Sequence, residues 1–238
     1  MSNHSAAPPS SLGLRAVGLL DGLPAASLDA LARECAWRNY ASGTQIISRE
    51  ADDRDVYLIV TGRVRVATFS AAGREVTFVD LDAGEFFGDV SAIDGMPRSA
   101  DVIALESTLL ASMSPAVFWR LLREEPLVTE RVLRRLVAFV RRLSDRVIDL
   151  STLGVQTRIY AELLRRARET GVVRNTARID PAPKHADIAS QVSTYREQVT
   201  RELSALVKSG ILERDGHALI VRDVARLEGM VEEVRGHA

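Results

Sequence analysis

The chain has few cysteines, few histidines and no long apolar run. Its single cysteine, Cys35, excludes an internal disulfide framework, a cysteine-ligated iron–sulfur cluster and a multi-cysteine zinc site. We expect Cys35 to be a small apolar residue of the core. No stretch approaches the roughly 18 consecutive apolar residues of a membrane helix, and the N-terminus lacks a basic segment followed by an apolar core. The sequence therefore predicts a cytoplasmic protein that does not enter a membrane.

The chain also lacks an excess of either charge. Its 31 Lys and Arg residues nearly balance 32 Asp and Glu residues, which leaves a net charge of -1. A hydrophobic fraction of 46% and a charged fraction of 26% are ordinary for a globular protein. The 238 residues are enough for two domains. Because bulk charge does not indicate a nucleic-acid partner, such a partner must be inferred from a local motif.

The N-terminal half changes from a polar tip to a run of short strands. Residues 1–10, MSNHSAAPPS, are small, polar and rich in proline, and we predict a disordered tip over residues 1–14. Apolar residues at helical spacing around SLDALARECA predict short helices before residue 38. From residue 43 to 114, glycines separate β-branched runs such as VYLIVTG, RVRVATF and EVTFVDL. This pattern predicts an antiparallel β-roll with flanking helices, in a domain of residues 15–125.

A long helix is predicted from Pro126 to about Leu150, in a segment that we assign to residues 126–152. Its apolar residues follow alternating steps of three and four, which is the spacing of a two-stranded coiled-coil seam. The seam consists of Leu133, Leu136, Val140, Leu143, Val147 and Leu150. We predict that this helix forms the interface of a parallel homodimer. The alternative is a helix that packs against its own domain.

The C-terminal segment, residues 153–238, has the pattern of a winged helix-turn-helix. Two short amphipathic helices are predicted on either side of a turn near Ser193, within KHADIASQVSTYREQVTRELSALVKSG. In the following run, ILERDGHALIV, Asp215 and Gly216 separate two apolar stretches, which indicates a tight hairpin. The hairpin would form the wing. The predicted fold class is therefore α+β: an antiparallel roll, a long dimerisation helix and a winged helix-turn-helix.

Polar side chains on the second of these helices are suited to reading double-stranded DNA. We expect its exposed side to carry Tyr195, Arg196, Glu197, Gln198, Thr200, Arg201 and Glu202. An arginine fork reaches the O6 and N7 acceptors of guanine, and a glutamate accepts a hydrogen bond from the cytosine amino group. The alternative is a solvated helix face with intrahelical ion pairs. The neighbouring turn, wing and dimer helix favour the DNA-binding interpretation.

From about residue 15 onward, the order of motifs resembles the CRP/FNR family of bacterial transcription regulators. The motifs are YLIVTGRVRV, GEFFGDVSAIDGMPRSA, RRLSDRVIDLSTLGVQTRI and ADIASQVSTYREQVTREL. The resemblance implies a DNA-binding regulator without enzymatic activity, with RNA polymerase as a candidate partner. YREQVTR is similar to the recognition helix of the catabolite-activator branch. That similarity implies that Arg196, Glu197 and Arg201 read a TGTGA half-site, with Tyr195 and Thr200 beside them.

The same resemblance implies an effector site in FGDVSAIDGMPRSADV, residues 87–102, which we call the phosphate cassette. In such a cassette a short helix presents its backbone N–H groups to a cyclic phosphate. By similarity, Gly88 lets the backbone approach, Asp89 accepts from the ribose 2'-hydroxyl, and Arg98 and Ser99 hold the phosphate. Val90 adjoins these residues, and Leu143 and Ser144 of the long helix would face the base. The leading effectors are cAMP and cGMP.

Three positions depart from the family pattern. Asp89 stands where the family usually has glutamate, and one methylene less shortens its reach by about 1.5 Å. Leu143 stands where the catabolite activator has a threonine that contacts adenine, and Ser193 stands where the family often has glycine. The departures at Asp89 and Leu143 leave open a different effector or no effector. If there is no effector, Asp89 and Arg98 would form an internal ion pair that stabilises the roll without a ligand.

Two other classes of protein are alternatives to a DNA-binding regulator: a cupin-type metal enzyme and a ligand-sensing dimer that acts through protein contacts. A cupin-type enzyme needs clustered histidines and carboxylates on the roll to hold a metal. The four histidines, His4, His185, His217 and His237, all lie outside the predicted roll, so we expect neither a metal nor haem. A ligand-sensing dimer that acts only through protein contacts remains as a further alternative, and it predicts no sequence-specific DNA binding.

Overall fold

The computed structural model describes residues 4–70 and 75–235. The chain divides into two compact units, residues 1–138 and 139–238. The first contains the β-rich part and the second contains the helix-turn-helix. The α+β fold class and the antiparallel sheets predicted from the sequence are confirmed. The functional boundaries at residues 15, 126 and 153 remain a prediction.

Two antiparallel sheets form the roll of the first unit. The five-stranded sheet has the order β1-β2-β9-β4-β7, and the four-stranded sheet has the order β3-β8-β5-β6. The strands are β1 (His4–Ala6), β2 (Ala36–Tyr40), β3 (Gln45–Ile47), β4 (Val56–Thr61), β5 (Arg63–Phe69), β6 (Glu75–Asp82), β7 (Phe86–Phe87), β8 (Asp101–Ala104) and β9 (Thr108–Met113). The alternation read from RVRVA is not kept along β5: Val64, Arg65 and Ala67 are all buried, and a shift of register between Val66 and Ala67 interrupts the period of two.

Short helices flank the roll on its N-terminal and C-terminal sides. The N-terminal helices are α1 (Ser11–Leu14) and α2 (Ala25–Glu34), with a 3-10 turn at Gly18–Leu20, and α4 (Pro115–Glu124) follows the last strand. A further short helix, α3 (Asp89–Asp94), lies between β7 and β8. Leu14, Trp37, Leu58 and Phe118 join one buried cluster that links the helices to the sheet. Burial of these large side chains supplies the main driving force for packing helix on sheet.

The predicted disordered tip over residues 1–14 is wrong for the described residues 4–14. The backbone of β1 pairs with Arg38–Tyr40 of β2, and Ala7 N–H donates to the Trp37 carbonyl at 3.0 Å. The Ser10 hydroxyl then accepts from Gly13 N–H at 3.1 Å and caps α1. A free sheet edge supplies backbone partners whatever the side chains are, so a polar, proline-rich composition does not exclude order. Residues 1–3 lie outside the described part.

One helix, α5 (Pro126–Thr152), runs from the first unit into the second. The second unit continues with α6 (Val155–Thr170), β10 (Val172–Val173), β11 (Thr176–Ile179), α7 (His185–Gln191), α8 (Arg196–Lys208), β12 (Leu212–Asp215), β13 (Ala218–Val221) and α9 (Val224–Arg235). Its four strands form an antiparallel sheet in the order β10-β11-β13-β12. Within the described ranges, no helix is long and apolar enough to cross a bilayer.

Candidate functional site

Gly88 shapes the start of the phosphate cassette. It follows β7 directly and is the N-cap of α3, with φ of +87° in the left-handed region that favours glycine. A Cβ at this position would lie 2.5 Å from the Asp55 carbonyl oxygen and 2.9 Å from Nη1 of Arg98. The backbone therefore turns tightly against Arg98, which only a residue without a side chain permits.

Arg98 is the buried cation of the cassette. Its Nη1 donates to the Gly88 carbonyl at 3.1 Å, and its Nη2 donates to the Asp55 carbonyl at 2.8 Å and to Oδ2 of Asp53 at 2.6 Å. The guanidinium also lies 5.8 Å from the centroid of the Tyr57 ring. Nε of Arg98 is buried and has no hydrogen-bond partner among the described residues. A buried donor without an acceptor is costly, so this atom indicates a place for an additional acceptor.

Asp89 is the buried acid of the cassette, but it does not pair with Arg98. Only 6% of Asp89 is exposed, and its carboxylate accepts no hydrogen bond from the described residues. The ion pair of Arg98 is with Asp53, so the structure does not contain the internal Asp89–Arg98 pair that the sequence left open. Val90 and Ser99 are both exposed beside this site.

Asp53 is a member of the site that the sequence analysis missed. It lies in the acidic run ADDRD, residues 51–55, immediately before β4. Burial, followed by the charge of Asp53, raises the pKa of the Asp55 carboxyl above its ordinary value. The same two causes raise the pKa of the Tyr57 hydroxyl. Negative charge is therefore concentrated next to Arg98. The acidic run itself is visible in the sequence, but its position beside Arg98 is not.

Leu143 and Ser144 lie on the part of α5 that belongs to the second unit, whereas the cassette belongs to the first. Leu143 is half-buried. The Ser144 hydroxyl donates to the Val140 carbonyl of its own helix at 3.0 Å. Its proton is therefore engaged by the helix, while its oxygen can still accept a hydrogen bond.

The dimer seam predicted on α5 is largely exposed. Val140 and Val147 are 60% and 62% exposed, and Leu133 and Leu150 are also exposed. Leu136 and Leu143 are half-buried. Burying such a row of apolar side chains requires a partner surface.

The second unit contains the predicted helix-turn-helix and wing. Ser193 adopts φ of +55° in the turn between α7 and α8, so serine fills the position that often needs glycine. In the wing, Asp215 of β12 pairs with Ala218 of β13, which leaves a two-residue loop. The side of α8 that the sequence predicts to read DNA, which we call the reading side, is exposed and consists of Tyr195, Arg196, Glu197, Thr200 and Arg201. Val199, Leu203 and Leu206 form its buried side.

Glu202 is not on the exposed side of α8, which corrects the prediction from the sequence. Only 7% of Glu202 is exposed, and its carboxylate accepts from Nε2 of Gln156 at 2.9 Å and from Nε2 of Gln198 at 2.8 Å. The Tyr160 hydroxyl lies 3.3 Å from the same carboxylate. Arg201 donates in turn to Oε1 of Gln198. Glu202 is thus linked through Gln198 to the exposed Arg201. The hydrogen bonds that its carboxylate accepts compensate for the cost of burying it.

His185 joins the two helices of the motif. Its Nδ1 lies 2.7 Å from Oγ1 of Thr200, whose hydroxyl donates to the Arg196 carbonyl at 2.9 Å. Burial, then the charges of Arg214 and Arg196, lowers the pKa of His185 below its ordinary value. These contacts fix Thr200 on the reading side.

Comparison with known proteins assigns both parts of the chain. Residues 37–125 match the family model of the cyclic nucleotide-binding domain, and residues 157–230 match that of the Crp-like helix-turn-helix domain. The chain belongs to the CRP/FNR family of transcription regulators. It is therefore a DNA-binding transcription regulator with a cyclic nucleotide-binding domain, and not an enzyme.

Several known proteins are similar to this chain over most of its length. A cyclic AMP receptor protein of Thermus thermophilus is 29% identical over 88% of this chain and 94% of the relative. A CRP-like cAMP-activated global transcriptional regulator of Mycobacterium tuberculosis is 23% identical over 90% of this chain and 96% of the relative. The structure of a CooA mutant from Carboxydothermus hydrogenoformans has a TM-score of 0.75 at 22% identity, over 85% of this chain and 90% of that one. The last comparison shows the shared fold.

No metal centre is visible in the part of the chain that the structure describes. Within residues 4–70 and 75–235, no group of three or more histidine, cysteine or acidic side chains is placed to hold a metal ion.

Proposed function

We propose that this CRP/FNR regulator is a homodimer that binds a near-palindromic operator through α8 and responds to a cyclic nucleotide in the phosphate cassette. The effector would shift the population between DNA-competent and incompetent arrangements of the dimer. The size of that shift is limited by the difference between the effector's affinities for the two states.

The observation that carries the effector proposal is a pair of complementary, unsatisfied groups in one buried site. Among the described residues, Nε of Arg98 is a buried donor without an acceptor, and the carboxylate of Asp89, a residue only 6% exposed, accepts no hydrogen bond. A cyclic nucleotide supplies both partners, since its phosphate is an anionic acceptor and its ribose 2'-hydroxyl is a donor. The tight turn at Gly88 supports the same assignment because it brings backbone N–H groups to the phosphate. The relatives named for cAMP favour cAMP over cGMP.

The exposed arginines and glutamate of α8 support the proposed half-site, TGTGA. Arg196, Glu197 and Arg201 lie on the exposed side of the helix, opposite the buried Val199 and Leu203. This arrangement is suited to insertion of the helix into a major groove. In a dimer joined through the exposed seam of α5, two such helices would read half-sites roughly 10 bp apart, centre to centre.

The proposal is tested by DNA binding at fixed salt with a labelled TGTGA-N6-TCACA duplex and a scrambled duplex of equal composition. We expect specific binding that requires cAMP, with a smaller effect of cGMP. Specific binding without any nucleotide would keep the DNA assignment and reject the switch. No preference in any condition would reject the half-site.

Substitution of the reading arginines tests the docking of α8. We expect Arg196→Ala and Arg201→Ala each to cost about 1 to 3 kcal/mol on the matched duplex and to relax preference at one base pair. Arg165→Ala is the control: its side chain is engaged by Glu162 and Glu169, so base preference should stay unchanged. Unchanged affinity and preference in both reading variants would contradict this docking.

A second candidate function is favoured by the Arg98–Asp53 pair. Because Asp53 already compensates the charge of Arg98, the roll could be stable without a ligand and the dimer could bind DNA constitutively. The same DNA-binding experiment distinguishes the two candidates, since constitutive binding is independent of nucleotide.

A further inference from the structure

We infer that Asp53 is an internal competitor for the anion at Arg98 and thereby sets the affinity of the effector site. In the proposed binding step, the Asp53 carboxylate leaves Nη2 of Arg98 and the ligand phosphate takes its place. This inference rests on the proposed function, because it concerns how the same cassette admits its ligand.

The geometry identifies which partner of the pair can move. The Arg98 side chain is 2% exposed, whereas that of Asp53 is 47% exposed. Arg98 is also held by two backbone carbonyls, those of Gly88 and Asp55, so its guanidinium is fixed independently of Asp53. Asp53 lies between β3 and β4, outside any helix or strand. Rotation of its side chain into solvent would therefore free Nη2 without disturbing the arginine.

The chemistry of the contact makes Asp53 a mimic of the ligand. At 2.6 Å, the bond between Nη2 and Oδ2 is a short charge-assisted hydrogen bond of the kind that arginine makes to phosphate. The Arg98–Asp53 pair itself carries no net charge, and the incoming phosphate exchanges one anion for another at Arg98. A neutral ligand gains too little to replace a carboxylate, so the site selects for anionic groups.

Crowding of negative charge adds to the competition. With a phosphate bound at Arg98, the displaced Asp53 remains on the same loop as Asp55, and the charges of Asp53 and Arg98 both act on the Asp55 carboxyl. Like charges at short separation repel, and the repulsion is stronger where burial lowers the effective dielectric constant. Removing the charge of Asp53 therefore favours the liganded state in two ways, by ending the competition and by reducing the repulsion.

The test is calorimetric titration of the full chain with cAMP and, separately, with cGMP. We expect Asp53→Asn to bind either nucleotide about three- to tenfold more tightly, because a half-exposed ion pair is a modest competitor. Asp53→Ser is measured beside it, since an asparagine oxygen can still accept from Nη2 and a serine is too short to do so. The matched control is Asp52→Asn, which removes the same charge from the neighbouring exposed residue and should change affinity less than twofold.

Thermal unfolding of the same variants separates competition from damage to the fold. Asp53→Asn and Asp53→Ser should lower Tm without ligand, because Arg98 loses a partner, and saturating nucleotide should raise their Tm by more than it raises that of the unmodified chain. Equal or weaker nucleotide binding by both Asp53 variants would overturn the role of Asp53 and leave the effector assignment intact. Failure of every variant and the unmodified chain to bind either nucleotide would instead overturn the cyclic-nucleotide proposal itself, and the inference with it.

Discussion

Gly88 combines a backbone requirement with a close contact, and the two can be separated by comparison with Gly95 at the other end of α3. Both glycines have positive φ, +87° and +71°, but a Cβ at Gly95 would meet no atom within 4 Å. Substitution of Gly95 by alanine therefore introduces backbone strain alone. Substitution of Gly88 adds a clash with the Asp55 carbonyl and with Arg98.

We predict that Gly88→Ala destabilises the roll more than Gly95→Ala does. Strain at a left-handed position costs about 1 kcal/mol or somewhat more, and the clash at Gly88 should bring the total to roughly 3 kcal/mol. Urea unfolding of the two variants measures the difference. Equal losses of stability would show that the backbone around Gly88 can move away from the Asp55 carbonyl and Arg98, which would contradict a tight turn.

Cys35 is predicted to be unreactive in the folded protein. Burial raises the pKa of its thiol to about 12, so the thiolate is scarce at neutral pH. We expect almost no reaction with a thiol-specific disulfide reagent at pH 8 in the native state and one thiol per chain after unfolding in guanidinium chloride. Rapid labelling of the native protein would contradict the burial of Cys35.

At the scale of elements, α5 is the helix whose exposed apolar row requires a partner. We predict that Val140→Asp combined with Val147→Asp dissociates the proposed dimer, because each new carboxylate would face its copy across the seam. Like charges in such an interface cost several kcal/mol, so the dissociation constant should rise roughly 100-fold or more. Sedimentation equilibrium measures the mass of the particle.

The control for the seam is Ala138→Asp, an exposed position of α5 that lies off the row of apolar side chains. It should leave the dimer unchanged. Dissociation by the control, or persistence of the dimer in the double variant, would mean that another surface joins the protomers.

The recognition helix α8 depends on a polar support beneath it. Glu202→Ala would leave the amides of Gln156 and Gln198 without their common acceptor, and we predict a loss of about 1 to 3 kcal/mol in the stability of the second unit. Glu197→Ala, on the exposed side, should change stability by less than about 0.5 kcal/mol. Denaturant unfolding followed by circular dichroism compares the two; a neutral Glu202→Ala would contradict the buried network.

At the scale of the whole molecule, the proposed dimer makes operator spacing a geometric requirement. Insertion of five base pairs between the half-sites turns one of them by about half a helical turn, so both recognition helices could not bind at once. We predict a loss of roughly 100-fold in affinity relative to the six-base-pair spacer, down to that of a duplex with one half-site. Fluorescence anisotropy with the three duplexes checks this, and tolerance of the insertion would argue against a dimer of fixed geometry.

Local patterns explain which parts of this regulator were predictable. The helix-turn-helix, the wing at Asp215-Gly216 and the long helix from Pro126 each follow from residues that are neighbours in sequence, because turn residues and hydrophobic period act over a few positions. Residues Gly88, Asp89 and Arg98 were likewise recognisable as one cassette. Its backbone turn and buried cation agree with that prediction, while their roles toward a ligand remain proposals.

The sequence by itself determined the fold class, the order of the roll, long helix and winged helix-turn-helix, and the family, since these depend on periodicity, turn chemistry and motif order along the chain. Only the tertiary structure decided the partners of buried charges. Arg98 and Asp53 are 45 positions apart, and Gln156 and Glu202 are 46 apart, so no local pattern indicates that they meet. The same holds for His4–Ala6, whose order comes from a sheet edge formed by a distant strand. Pairing of this kind is set by how the packed elements place the side chains, and a charge excluded from water is stabilised by whichever partner the fold brings within reach.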